Sequence, residues 1–136
     1  MESKKHIKLV EELFGKIKDW GYRIDGADLD NQNQPEIVDN KDNVGDGENK
    51  IPDILAYDES KNRVIRGEAK TGEGDIETEH SITQYLLFSN RSKNRVASWL
   101  YVMVPKNNKD FLNEVIIKNI PQTQWENIRL IASENY

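Results

Sequence analysis

The stretch Ile51–Lys70, IPDILAYDESKNRVIRGEAK, constrains this chain more than any other. Two short runs rich in Ile, Val, Leu and Tyr flank the polar turn DESKN, the pattern of two strands joined as a hairpin. Each run carries an acid where a strand ordinarily places an apolar residue: Asp53 opens the first and Glu68 nearly closes the second. Pairing Asp58 with Arg63 across the turn sets Tyr57 opposite Val64, Leu55 opposite Arg66 and Asp53 opposite Glu68. Directly opposed side chains lie about 4.5–5.5 Å apart at Cβ. Lys70 shares the face of Glu68, because side chains alternate along a strand. The other face, Ile54, Ala56, Ile65, Gly67 and Ala69, is small and apolar and suits a helix packed on it. A slip of one residue would carry Asp53 to the far face from Glu68, so the constellation itself favours this register.

Two carboxylates opposed on one face repel each other. A divalent cation between them, or a proton on one, relieves the repulsion. A small set of hard oxygen ligands suits Mg²⁺, which keeps several waters and completes its octahedron with phosphate. A lysine beside such a metal is placed to hold or deprotonate an attacking water. The structural alternative is a surface Glu-x-Lys pair on an edge strand, with an Asp capping the strand start. The Pro-Asp at the matching cross-strand position favours the chemical reading over that one.

Pro52-Asp53 followed by Glu68-Ala69-Lys70 resembles the PD-(D/E)XK nuclease superfamily, the restriction-endonuclease-like and Holliday-junction-resolvase-like fold. The match is complete in both pieces and in spacing. The resemblance implies that Asp53 and Glu68 bind Mg²⁺, with Mn²⁺ able to substitute. It also implies that the backbone carbonyl of Ala69 adds a ligand and that Lys70 positions the nucleophilic water.

The rest of the chain supplies the context. Residues 4–20 read as an amphipathic helix, with Ile7, Val10, Phe14 and Ile17 at helical spacing, Leu13 and Trp20 at the edge, and Gly21 as the stop. Lys4, Lys5, Lys8, Lys16 and Lys18 give it a basic outer face. Glu11 sits between Ile7 and Phe14 on the wheel and Glu12 points almost opposite. By that position and by resemblance Glu11 is the acid that joins the metal site; the open alternative is that both glutamates are solvated and paired with lysines. Tyr22-Arg23-Ile24 begins a strand. Asp25–Lys50 is polar and reads as a long loop with room for one short strand, Asp28 and Asp46 among the acids that solvate it or assist the site. A helix over 76–89 carries Thr78, Ile82, Tyr85, Leu86 and Ser89 on one stripe, with His80 and Gln84 one turn apart on another. Related nucleases carry a Gln on this helix, so resemblance assigns Gln84 to the site, whereas Tyr85 reads as core and His80 as surface. Residues 90–95, NRSKNR, form a basic loop that either clamps a phosphate or is a solvated connection. ASWLYVMV, residues 97–104, is the mark of a strand buried on both faces. A helix over 108–119 with Phe111, Leu112, Val115 and Ile116, then a short strand at 128–131, close the chain.

The expected fold is therefore a single α/β domain over residues 1–136, a restriction-endonuclease-like αβββαβ core with an added C-terminal helix and short strand, its central mixed sheet flanked by helices. No apolar run is long enough to span a membrane. The absence of cysteine excludes disulfides and thiolate metal sites and fits a cytoplasmic setting. The two histidines are too few for a multi-His zinc centre. The net charge of −5 is adverse for a nucleic-acid partner, but much of it is local to Asp25–Glu48 and to the site itself. The resemblance implies a Mg²⁺-dependent endonuclease acting on DNA as a homodimer, directed by DNA structure or by a protein partner. Nothing in the residues separates DNA from RNA. The alternative of another class is a non-catalytic nucleic-acid- or protein-binding module on the same fold, against which the intact Asp-Glu-Lys set argues.

Overall fold

The computed structural model describes residues 3–90 and 97–136. Helix α1 (Lys4–Asp19) leads into strand β1 (Arg23–Ala27), and the hairpin β2 (Ile54–Asp58) and β3 (Arg63–Ala69) follows a long connection. Helix α2 (Glu79–Phe88) leads to β4 (Ala97–Val104), then α3 (Lys109–Asn119), the short α4 (Gln122–Trp125) and β5 (Ile128–Ala132). The five strands form one sheet in the order β1-β2-β3-β4-β5. The first two pairings are antiparallel and the last two parallel, so this is an α/β fold with a mixed sheet flanked by helices. Among the described residues no helix is long and apolar enough to cross a membrane.

The hairpin takes the expected register: Asp58 opposes Arg63, Tyr57 opposes Val64, Leu55 opposes Arg66 and Ile54 opposes Gly67. Its turn is held by the Asp58 carboxylate, whose Oδ1 accepts the backbone N–H groups of Ser60 and Lys61. Asn62 takes the left-handed conformation (φ 50°) that tight turns require and Asn tolerates. Strand β4 is buried on both faces, as its composition indicated. Tyr101 and Met103 join a core with α1, whereas Leu100, Val102 and Val104 join a second core with α2 and α3.

Helix α1 is capped by Ser3, whose Oγ accepts the His6 N–H, and it ends before Gly21 at φ 88°. Its buried stripe is Leu9, Val10, Leu13 and Ile17 rather than the one centred on Ile7 and Phe14. Ile7 is exposed and Phe14 only partly buried, because the helix rests Leu13 and Ile17 on the hairpin at Gly67. The absence of a side chain at Gly67 is what admits that close approach. The Ile7–Phe14 side faces residues 28–30 instead. Trp20 is likewise exposed.

Helix α2 begins three residues later than its periodicity suggested, because the Thr78 side chain caps it by accepting the Ser81 N–H. Thr78 therefore leaves the stripe, and Tyr85 and Phe88 are the large apolar side chains it buries; Ile82 and Leu86 are half-buried. In α3 Leu112, Val115 and Ile116 are buried and Phe111 is exposed. Between β1 and β2 the chain forms only an isolated antiparallel bridge, Val38 with Lys50. The Asn40 side chain organises this stretch by bonding to the backbone of Val44 and Glu48. Of the basic 90–95 loop, residues 91–95 lie outside the described residues.

A Cβ at Gly67 would lie 3.1 Å from Leu13 Cδ2 and 3.2 Å from Ile54 Cβ. Gly67→Val is therefore expected to overpack the α1–sheet contact and to lower stability by about 1–3 kcal/mol, read from the midpoint of urea unfolding.

Candidate active site

The hairpin ladder ends where the two acids begin, and each carboxylate takes over a backbone amide that the ladder no longer pairs. Asp53 N–H donates to Glu68 Oε1 at 3.0 Å, and Ala69 N–H donates to Asp53 Oδ2 at 2.9 Å. These reciprocal bonds fix both side chains on the strands, and both are nearly buried, at 8% and 2% exposure. Lys70 Nζ stands 3.4 Å from Glu68 Oε2 and donates to Gln84 Oε1, so α2 delivers Gln84 to the site. The Lys70 backbone N–H donates to Met103 O at 2.9 Å, which ties this end of β3 to the buried strand β4. Beyond it, Asp75 accepts from the Thr71 and Gly72 amides and rigidifies the turn leading toward α2.

Asp53, Glu68, Ala69, Lys70 and Gln84 border one cavity of about 620 Å³, open to solvent. Glu11 does not. It is exposed and borders a neighbouring cavity with Ile7, Phe14 and Asp28. The rotation of α1 that buries Leu9 also turns Glu11 toward residues 28–30. Glu12 is not a free solvated acid either: its carboxylate accepts from Ser133 Oγ and the Glu134 N–H and fastens the C-terminal tail to α1. The residue of α1 that reaches the hairpin acids is His6, whose Nε2 lies 3.3 Å from Asp53 Oδ2. His6 precedes Leu9, Val10, Leu13 and Ile17 by 3, 4, 7 and 11 positions, so extending the helical wheel one turn toward the N-terminus would have found it.

Lys50 and His80 border the same cavity and form a second polar cluster with Asp46, a grouping the sequence analysis did not anticipate. Lys50 is 3% exposed, with Nζ 2.7 Å from Asp46 Oδ2 and 2.6 Å from His80 Nδ1. Asp46 N–H donates to Thr83 Oγ1, so this cluster pins the 40–50 segment to α2. Asp28 also borders the cavity. Burial, with the charges of Lys50 and Lys70, holds His80 below its ordinary pKa.

The electrostatics centre on Glu68. Burial first, and the Asp53 charge second, push its carboxyl up to about 8, against the opposing pull of Lys70. Asp53 Oδ1 accepts no hydrogen bond among the described residues, so the pair presents an oxygen toward the cavity that the backbone has not claimed. Among the described residues no three His, Asp, Glu or Cys side chains gather as a metal cluster. The donors available to a cation are thus the two carboxylates and the Ala69 backbone, with water or ligand oxygens to complete the set. That sparse, all-oxygen set fits Mg²⁺ or Mn²⁺. No protein-family model, curated protein or solved structure matches the chain.

Folded, Glu68 keeps its proton up to about pH 8, while the unfolded chain loses it near 4.5. The folded state binds more protons between these values, so its stability without divalent cation is expected to fall as pH rises from 4.5 to 8. Urea unfolding across that range should show the slope in the wild type and a flatter one in Glu68→Gln.

Proposed function

We propose that this cavity is the active site of a Mg²⁺-dependent nuclease of the PD-(D/E)XK type. The observation that carries the reading is the Glu68 carboxyl, buried against Asp53 and held with Lys70 at 3.4 Å on the floor of a solvent-open cavity. A scaffold without chemistry has no physical need to bury two opposed acids at a cavity wall. The order α1, β1–β3, α2, β4 supports the same family reading, since it is the restriction-endonuclease-like succession.

In this reading Asp53 Oδ1, the Glu68 carboxylate and the Ala69 carbonyl would hold the cation. Bound there, Mg²⁺ supplies charge neutralisation at the phosphate and a more acidic water. Lys70 Nζ, as an ammonium, would hold the attacking water by hydrogen bonding and stabilise the negative charge that develops on the phosphate, while the water's proton leaves to solvent. Gln84 Oε1 fixes the direction of the Lys70 ammonium, and His6 Nε2 steadies Asp53 Oδ2. Glu68 would release its proton to solvent on binding a cation, so that the pair would be charged only when that charge is matched.

The substrate in this proposal is DNA, cut internally. The exposed Lys4, Lys8 and Lys18 of α1 offer phosphate contacts, while Lys5 and Lys16 are engaged by Glu73 and Glu134. That supply of free cations is thin for a chain of net charge −5. A second copy of the chain or a protein partner would therefore contribute to targeting.

Supercoiled plasmid or a branched DNA junction should be cut with Mg²⁺ or Mn²⁺ and left intact with EDTA. Lys70→Ala and Asp53→Asn should each slow cutting by about 100-fold or more. Failure of the wild type on both substrates with both metals, or undiminished cutting by Lys70→Ala, would refute the reading.

A further inference from the structure

Lys50 is a cation buried in the wall of the Asp53–Glu68 cavity, and the fold fixes each group that its ammonium touches. Its backbone is held by the bridge to Val38: Lys50 N–H donates to Val38 O at 3.1 Å, and Val38 N–H donates to Lys50 O at 2.7 Å. Its Nζ donates to Asp46 Oδ2 at 2.7 Å and to His80 Nδ1 at 2.6 Å. Asp46 is fixed in turn. Its Oδ1 accepts the Glu48 N–H, and its own N–H donates to Thr83 Oγ1, one turn along α2 from His80. Gly45 lets the segment sit this close to α2, since a Cβ there would lie 2.0 Å from Thr83 Oγ1.

The bond to Nδ1 decides the state of the imidazole. An ammonium paired with a carboxylate can only donate, so the Nδ1 facing it is the bare, accepting nitrogen. The ring proton is then on Nε2, and a second proton has no place beside the Lys50 charge. Burial and the cations of Lys50 and Lys70 act in the same direction, holding His80 below its ordinary pKa against the weaker pull of Asp46 and Glu48. His80 is exposed and borders the cavity of the two acids, and among the described residues its Nε2 has no partner. A clasp between residues 40–50 and α2 needs only an acceptor for Lys50. The imidazole supplies that acceptor and adds, on the other side of the ring, an N–H donor at the cavity.

His80 precedes Gln84 by one turn on the same face of α2, about 6 Å along the axis. Gln84 accepts from Lys70, so the donors Lys70 and His80 follow one another along this cavity. We propose that His80 is a substrate-binding residue: its Nε2–H, fixed by Lys50, donates to a phosphate oxygen next to the scissile group of the strand held at Asp53 and Glu68. The proposal rests on the nuclease reading above. A phosphate oxygen is a charged acceptor and takes the N–H of a neutral imidazole with no proton transfer. Because Asp46 offsets the Lys50 charge, the contact adds direction rather than net attraction. Such a bond sets the register of the strand over the carboxylates and carries no base preference.

The chain has two histidines, so long-range ¹H–¹⁵N NMR of the imidazoles is assigned by the signals lost in His80→Phe. At neutral pH His80 should show the single Nε2–H tautomer in the wild type and a mixture of tautomers in Lys50→Met. A short DNA oligonucleotide added with Ca²⁺ should move the His80 Nε2–H signal. Its affinity should fall about tenfold or more in His80→Phe, the scale of a hydrogen bond to a charged group, and return to within about threefold of wild type in His80→Gln, whose amide replaces both the donor and the acceptor. Thr83→Val loosens the same 40–50 segment without removing the imidazole and should bind within about twofold of wild type. A loss in Thr83→Val equal to that in His80→Phe, a proton on Nδ1, or an unmoved His80 signal with oligonucleotide bound would overturn the proposal. Failure of the oligonucleotide to bind at all sinks it together with the nuclease reading; metal-dependent cutting with undiminished affinity in His80→Phe sinks the phosphate contact alone.

Discussion

Two like charges held about 5 Å apart repel by roughly 3 kcal/mol even at an effective dielectric constant of 20. Asp53 and Glu68 lie just past the last ladder pair, Ile54 with Gly67, where each acid bonds the other strand's backbone, and both are buried. Desolvation adds to the repulsion, and Lys70 alone does not cancel it: the Glu68 carboxyl is still pushed up to about 8. The arrangement persists because each acid also accepts a backbone amide across the strands. Those two hydrogen bonds hold the acids in place while Lys70 and His6 offset only part of the repulsion, which is the condition under which a site takes up either a proton or a cation.

The surrounding elements keep this pair where it is. Gly67 allows α1 to lie on the far face of the hairpin, and the same helix brings His6 to Asp53. Strand β4, buried on both sides, anchors the Lys70 end of β3 through the Met103 carbonyl. Helix α2 supplies Gln84 to Lys70 and, through Thr83 and His80, holds the 40–50 segment that walls the cavity. A site built this way sits on strand ends and helices rather than on a free loop, so its geometry is set before any ligand arrives.

Much of this was legible in the chain, for physical reasons that also explain the misses. The hairpin register followed from alternation and turn length, because a slip would exchange the two faces of β2 and β3. Strand β4 was legible because only a doubly buried strand is so uniformly apolar. The rotation of α1 was not, because Ile7 and Leu9 are equally apolar, and the choice between them was made by the surface the helix packs on. That rotation moved Glu11 away from the Asp53–Glu68 cavity and brought His6 to it. Asp46 was read as a loop acid that solvates or assists the site, but Lys50 escaped notice because its partner His80 is 30 residues away, and no periodicity reports a contact of that range. Gln84 was found through family resemblance, since its contact with Lys70 joins a helix to a strand end across 14 residues.

The proposed metal site requires that Glu68, protonated beside Asp53, would exchange that proton for a divalent cation. Calorimetric titration with Mn²⁺ at pH 7, in buffers of different ionisation enthalpy, counts the protons released per metal bound. Roughly one proton should leave with each metal in the wild type and almost none in Glu68→Gln. Absence of metal binding, or a proton release that is the same in Glu68→Gln, would contradict it.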